Sequence, residues 1–344
     1  MKELVSDQIY FKNEIAFEVI SQLPFTGYEV QFEKNGYLAV KKRYEDGKLN
    51  GETIFFYYGK EWKSRINYKD GKRDGVAVSY YRNGKTEGTG TYKDGLLNGE
   101  AKSYYENGQL KLKATYKDGL LNGDYVEYYV NGHLYSKCNY KDGEQDGACE
   151  TYYENGQLKK IETRKDGVLN GACETYYENG QLESKRNFKD GVVNGDYVEY
   201  YVNGQIRHRD FINKDGFVDG EYIGYYKNGQ MKYLFNYING EPIGVDKVFY
   251  ENGQLKKIET RKDGVLNGAC ETYYENGQLK LKATYKDGVL NGAYETYYEN
   301  GQLESKQTWK NGEKDGTCEY YFENGQLSEI ETYKDGVPNG VWEV

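Results

Sequence analysis

From Tyr92 to Thr115, YKDGLLNGEAKSYYENGQLKLKAT, short runs of tyrosine and aliphatic residues alternate with polar, glycine-bearing turns. The same alternation recurs every 24 residues through most of the chain. Tyr92, Tyr116, Tyr140, Arg164 and Phe188 open successive repeats; after a one-residue slip, so do Asn213, Tyr237, Arg261, Tyr285, Trp309 and Tyr333. A period of this length signals a stack of supersecondary units, none of which buries its apolar surface until its neighbours are in place. The 344 residues are therefore expected to form one elongated array and not two or three globular domains.

Turn chemistry gives the element type. Asn107-Gly108, between Tyr104-Tyr105 and Leu110, predicts a two-residue hairpin turn in which both residues take positive φ. Lys93-Asp94-Gly95 and Asn98-Gly99 predict a longer connection to the preceding strand. That arrangement pairs Glu106 with Gln109, Tyr105 with Leu110 and Ser103 with Leu112, and puts Tyr104 on the face opposite Tyr105 and Leu110. The apolar residue of the second strand is Leu112 in one repeat and Ile161, one column later, in another, which leaves its register open. The fold class expected is all-β: an open, twisted, elongated single-layer antiparallel β-meander of about thirteen 24-residue hairpins, held chiefly by stacked tyrosine columns.

Residues 1–19 match the repeat poorly, although Tyr10–Phe17 reads as a strand-turn-strand. They are assigned as an N-terminal capping segment over an exposed sheet edge, and residues 20–344 as the array. The final Gly340-Val341-Trp342-Glu343-Val344 reads as the start of another first strand. An extra residue enters within Gln205–Asn213, and Tyr250–Leu279 is identical to Tyr153–Leu182, the mark of a duplicated block.

Composition adds three points. With 40 Tyr and 43 Gly against 3 Pro and 2 His, tyrosine stands where a closed core would use aliphatics. A net charge of −9 argues against a non-specific nucleic-acid binder and is compatible with a basic protein partner. The N-terminus has no signal-peptide core and no stretch approaches a membrane span, so a cytoplasmic location is expected and a membrane role is disfavoured. Cys149, Cys173, Cys270 and Cys318 share a column whose members in adjacent repeats stand roughly 9.5 Å apart, too far for disulfides. Cys138 and Cys149 flank one loop and could approach each other; free thiols are expected.

The pattern Tyr92-x-x-Gly95-x-x-x-Gly99 resembles the MORN repeat, and the longer form with YYENGQL resembles the variant in bacterial proteins labelled YwqK-family antitoxins. The resemblance covers residues from about 20 to 344, departing from the better-known MORN pattern at Glu100-Ala101, where further glycines would stand. It implies successive β-hairpins that act by binding. The antitoxin label implies an immunity-type protein that neutralises a protein toxin, and other MORN-type arrays imply a structural or membrane-peripheral assembly scaffold as the alternative.

No catalytic motif emerges. His133 and His208 lie three repeats apart, and the usual nucleophile, zinc and nucleotide signatures are missing, so neither enzyme activity nor a cofactor or metal is expected. The column of Asp94 reads as turn-formers. The better clue is where copying fails. Strand alternation places Tyr222, Tyr226, Met231, Tyr233 and Phe235 on one face, continued by Tyr237, with Gly224 opposite Tyr233 to admit its ring. The matching face of the repeat from Arg164 carries Cys173, Thr175, Tyr177, Leu182, Ser184 and Arg186. Together with Phe211, the aromatics either anchor a protein partner such as a basic toxin or repair packing around the inserted residue near Phe211. Trp62, His133 and Tyr135 are further deviations open to both readings. Apart from that partner, the protein is expected to be monomeric.

Overall fold

A computed structural model describes residues 1–58 and 61–340; the last four, read above as part of another first strand, lie outside the described residues. The chain divides into two compact halves, Met1–Leu169 and Asn170–Val344. Each is an all-β, mostly antiparallel meander in which consecutive strands of the repeats pair.

The repeat's two turns exchange the roles expected of them. Asp94 (φ 50°) and Gly95 (φ 93°) form the two-residue turn with both φ positive, and Lys93 pairs directly with Leu96. Glu106-Asn107-Gly108 is instead a three-residue loop, closed by Tyr105 N–H to Gln109 O and by Gly108 N–H to Tyr105 O, each 2.8 Å. Here only Gly108 (φ 94°) is left-handed, the geometry of a type I turn followed by a bulge glycine. Tyr104 therefore pairs with Leu110, and Tyr105 faces Gln109; the pairing of Ser103 with Leu112 stands. Asn98-Gly99 is not a turn: it lies inside the strand Leu96–Tyr104, where the ladder skips between Gly90–Ala101 and Tyr92–Leu97.

Register is the same in every well-formed repeat. Leu112 lies opposite Ser103, and Lys160, in the same column, lies opposite Thr151; Ile161 lies opposite Glu150, as Lys113 lies opposite Lys102. The apolar residue changes face, not register. One face is the buried one and is lined by small or polar residues. It holds Ala114, Cys138, Cys149 and Glu162 in the N-terminal half, and Cys173, His208, Asp246, Glu259, Cys270 and Ala283 in the C-terminal half.

Hydrogen bonds between repeats, more than stacked rings, join the tyrosine columns. The hydroxyl of Tyr81 donates to Tyr104 O, Tyr105 to Tyr128 O and Tyr129 to Tyr152 O, at 2.7–2.9 Å. In the C-terminal half Tyr226, Tyr250, Tyr274 and Tyr298 repeat the bond to the next repeat at 2.8–2.9 Å. At the same hairpin tip the Asn131, Asn252 and Asn276 amides donate to Glu154, Glu275 and Glu299 carbonyls. At the other tip Asn98, Asn122 and Asn267 reach the Asp118, Asp142 and Asp287 carboxylates of the following turn. Carbonyls and amides at turns otherwise need water, so each repeat completes the hydrogen bonding of the next.

Residues 3–5 add a parallel strand to Gly27–Phe32, and Ile9–Lys12 pairs with Ile15–Glu18 as a separate hairpin, the strand-turn-strand read in Tyr10–Phe17. Leu4, Ile9, Ala16, Phe25 and Tyr44 close a small apolar core beneath it. Burial, Glu29 and its hydrogen bond push the Tyr44 hydroxyl well above the usual tyrosine range.

Two expectations need correction. Cys138 and Cys149 are bonded to each other as a disulfide, because the bulge after the Asp142-Gly143 turn brings them directly opposite. Cys270 and Cys318, in the shared column, are buried free thiols. The extra residue does not lie in the strand Ile206–Ile212, which keeps the usual register, Gly195 opposite Ile212 and Glu199 opposite His208. It enters the following turn, where Asn213 N–H bonds to Phe217 O and Gly216 N–H to Asn213 O, so three residues stand where other repeats have Asp-Gly.

Candidate partner-binding site

The strands Gly220–Tyr225 and Met231–Ile238 bring Tyr222, Tyr233, Phe235 and Tyr237 together on one face. Tyr222 lies opposite Phe235, and Gly224 opposite Tyr233. Tyr233 and Phe235 stack at 5.1 Å and 6°, Tyr222 stacks on Tyr233 at 5.6 Å, and Tyr237 meets Tyr222 edge-on at 5.9 Å. Gly224 makes this possible, since a Cβ there would lie 2.2 Å from Cζ of Tyr233. Burial and the neighbouring Tyr222 push the Tyr233 hydroxyl up to about 12.

The cluster extends to a residue that repeat-breaking alone did not place there. His208, buried and opposite Gly224, meets Tyr222 at 4.3 Å between ring centroids. Its Nδ1 lies 3.5 Å from the Tyr233 hydroxyl and its Nε2 3.3 Å from Asp210 Oδ2. The sequence marks His208 only as a lone imidazole; the signal that could have found it is its column, which holds Leu112, Ser136, Lys160 and Ser184 in the preceding repeats.

Other expected members lie elsewhere. Tyr226 falls beyond its strand, donates its hydroxyl to Phe249 O at 2.9 Å and lies under Lys232, so it belongs to the tyrosine ladder and not to the aromatic face. Met231 pairs with Tyr225. Phe211, opposite Asp196, is 43 % exposed and lines a separate pocket with Arg209, Asp219 and Ile223. In the N-terminal half, Trp62 packs against Tyr80 and Arg65; Tyr135 meets Tyr129 edge-on at 5.1 Å; His133 Nδ1 lies 2.8 Å from Glu154 O. These three sit in local clusters of their own.

Beside the aromatic face an ion network closes a pocket of about 330 Å³, lined by Phe235, Tyr237, Pro242, Asp246, Val248, Lys257, Glu259 and Arg261. Arg261 donates from Nε to Asp246 Oδ2 at 2.8 Å, from Nη2 to Glu259 Oε1 at 2.7 Å and from Nη1 to Gly264 O at 3.2 Å. Lys257 pairs with the other Glu259 oxygen. Burial works to raise the Glu259 carboxyl, but Lys257 and Arg261 outweigh it and hold the group below its usual range. Asp246 goes the other way: burial pushes it up, Arg261 and the Asn236 backbone N–H oppose, and Glu259 across the strand adds to the rise. Asp246 and Glu259 were not singled out from the sequence, because carboxylates are common in this chain and nothing marked these as inward-facing. Among the described residues no three His, Cys, Asp or Glu side chains gather to hold a metal ion, and no helix is long and apolar enough to cross a membrane.

The repeat geometry meets its decisive counterpart in a family model, the MORN repeat variant, which matches ten segments: 73–94, 97–118, 121–142, 145–166, 169–190, 218–239, 244–263, 266–287, 290–311 and 314–335. The chain belongs to the MORN repeat variant family. The matched MORN-variant segments resume at 218, directly after the three-residue turn, and the aromatic face therefore lies within a recognised repeat. A search of curated proteins finds no match. Among solved structures the chain is similar to TcdB2-TccC3 at 13 % identity and TM-score 0.19, over 94 % of this chain and 19 % of that one. It is similar to a variant Photorhabdus luminescens Tc holotoxin pore at 12 % identity and TM-score 0.18, over 87 % of this chain and 18 % of that one. The chain spans about one fifth of the length of these structures, and TM-scores of this size carry no argument.

Proposed function

We propose that this MORN-variant array is a non-enzymatic binding protein that holds a protein partner on the face of Tyr222, Tyr233, Phe235 and Tyr237. In the finer reading it is an antitoxin or immunity-type protein that covers a basic toxin's active surface. The observation that carries the reading is the separation of the aromatic face from the insertion. The extra residue is absorbed in the turn Asn213–Phe217, whereas the rings lie within strands that pair in normal register around Gly224. Packing repair therefore leaves the rings unexplained, while clustered half-exposed aromatics are what a binding hot spot requires. The charge of −9 favours a basic partner.

The test is purification from the native cell, followed by Tyr233→Ala and Phe235→Ala. Lost partner binding with an unchanged melting temperature supports an anchor, and lost stability with retained binding supports packing. Absence of any stable protein partner would sink the antitoxin reading. A cytoplasmic location is part of the proposal, against which the Cys138–Cys149 bridge weighs, since disulfides persist in oxidising compartments. Alkylation of unbroken native cells, followed by peptide mapping, decides: labelled Cys138 and Cys149 place the protein in a reducing compartment.

One observation favours the assembly-scaffold alternative. Leu96, Leu120 and Val168 in the N-terminal half, and Val192, Val265 and Val289 in the C-terminal half, occupy one repeat column and are each 44–52 % exposed. A row of exposed aliphatics invites self-association. Val265→Lys with Val289→Lys should then dissolve any oligomer seen by sedimentation, and a monomeric wild type excludes this version.

A further inference from the structure

A groove of about 510 Å³ lies against the strands Ile206–Ile212 and Gly220–Tyr225, beside Phe211. Strand alternation turns Glu221 and Ile223 away from Tyr222, and Arg209 and Phe211 away from His208, so the groove belongs to the face opposite the aromatic cluster. Val198, Phe211 and Ile223 form its apolar walls, Asp196, Asp219 and Glu221 its acidic ones, and Arg209 is the one cation in the lining. Asp210 also borders it but is buried beside His208. The groove opens where the ladder does. Arg209 pairs with Ile223 and Ile212 with Val218, but Asp210 and Tyr222, whose counterparts Arg186 and Tyr197 pair one repeat earlier, do not.

The array itself does not use the residues that build this groove. Asp219 stands in the column from which Asn98, Asn122 and Asn267 donate to the following turn; a carboxylate cannot donate, and the acceptor there, Asn239 Oδ1, is taken by Asn213 at 2.9 Å. Phe211 replaces the Thr115, Thr163 and Thr284 of other repeats and stays exposed. Among the described residues no side-chain hydrogen bond or ion pair joins Asp196, Asp219, Glu221 or Arg209 to a neighbour. Negative charge is therefore in surplus here, unlike in the pocket beside Tyr237, where Lys257 and Arg261 balance Asp246 and Glu259.

These walls select the guest. An anion meets three carboxylates, and a purely apolar guest strips water from them without compensation. Among the described residues no three carboxylates converge as metal ligands. Lysine and arginine join an apolar stem to a charged head, so the stem lies on apolar surface while the head reaches a carboxylate or the face of an aromatic ring. We infer that this groove takes a basic segment of a protein partner in which lysine or arginine alternates with apolar residues. Its apolar groups lie against Val198, Phe211 and Ile223, and its cations meet Asp196, Asp219 and Glu221. The inference rests on the proposed protein-binding role but not on the aromatic face.

The test uses the full chain and a blocked peptide of alternating lysine and leucine, observed by saturation-transfer NMR at low and high salt, with a glutamate-leucine peptide as control. Saturable binding of the basic peptide alone is expected, falling with salt. Asp219→Asn with Glu221→Gln should weaken it about tenfold, and Phe211→Thr, the residue other repeats carry, about threefold. Glu106→Gln with Glu299→Gln removes the same charge from other repeats and should leave binding unchanged. Hydrogen exchange on each variant checks that its strands remain formed. Equal losses from the two double variants mean diffuse attraction to an acidic chain and overturn the inference. So does unchanged binding by a folded Phe211→Thr protein, or no saturable binding at millimolar peptide. The probe needs no natural partner. Its failure leaves the aromatic-face proposal standing, while peptide binding without any native partner sinks that proposal and not the groove.

Discussion

Residues 153–182 and 250–279 are identical, yet the two copies meet different neighbours. In the first, Glu162 pairs with Lys160 and Arg164, and the residue opposite it, Cys149, is tied to Cys138. In the second, Glu259 makes the same pairs with Lys257 and Arg261, but opposite it stands Asp246, which takes a further bond from Arg261. Even the arginine's bond to the turn carbonyl is repeated, to Gly167 O in one and Gly264 O in the other. Identical sequence reproduces the network within a strand and its turn. What surrounds the network depends on the preceding repeat, which supplies a covalent staple in one place and a second carboxylate beside aromatic rings in the other.

The comparison can be broken most forcefully at Gly224, which has no counterpart in the first copy. Gly224→Val drives side-chain atoms into Tyr233 and should cost about 3 kcal/mol, read as faster hydrogen exchange in Gly220–Tyr225 and Met231–Ile238. Unchanged exchange there would mean that the rings are not packed across the glycine. Next comes the staple. Cys149→Ala removes a cross-link between residues 11 apart and should cost about 2–3 kcal/mol, an effect that reductant reproduces in the wild type. If neither reductant nor the substitution alters local exchange, the bridge contributes nothing to folding.

The networks themselves give a finer distinction. Glu162→Gln should cost about 1–2 kcal/mol, and Glu259→Gln less, because Arg261 keeps Asp246 as a partner. Both glutamates have lowered folded pKa values, so their stabilisation is present above the unfolded carboxylate range and is lost as pH falls through the folded value. The gap between wild type and Glu162→Gln should therefore close on acidification; a gap that widens contradicts the pairing. Smallest is Asp246→Asn. Asp246 is raised, so its ionisation destabilises the fold as pH climbs through the carboxylate range. The variant should gain on wild type from acid to neutral pH, with a net difference under about 1 kcal/mol at neutrality, and a loss that grows with pH would contradict it.

The hairpin array, its period and the N-terminal hairpin were legible because glycine, asparagine and aspartate mark turns whatever their type. The types were not, because Asn-Gly serves both a two-residue turn and a three-residue turn with a bulge glycine. Asp94 tolerates positive φ, while Asn107 does not have to adopt it. From that exchange the displaced pairing of Tyr104 and Tyr105 follows. The meeting of Gly224 with Tyr233 was readable, since an unpaired ring and a missing side chain in opposed columns fit together. The Cys138–Cys149 bond was hidden, because it depends on a bulge that alternation does not reveal. His208, Asp246 and Glu259 were hidden for a related reason: the buried face of this sheet is partly polar, so inward positions carry no hydrophobic signature.

The tyrosine hydroxyl that each repeat donates to the carbonyl of the next has a consequence for inheritance. Most of the described repeats present the same plug and the same socket, so a block copied in register joins its new neighbours without any compensating change. Unequal recombination can thus lengthen or shorten the chain at little risk, and each added copy is a spare surface on which later substitutions accumulate.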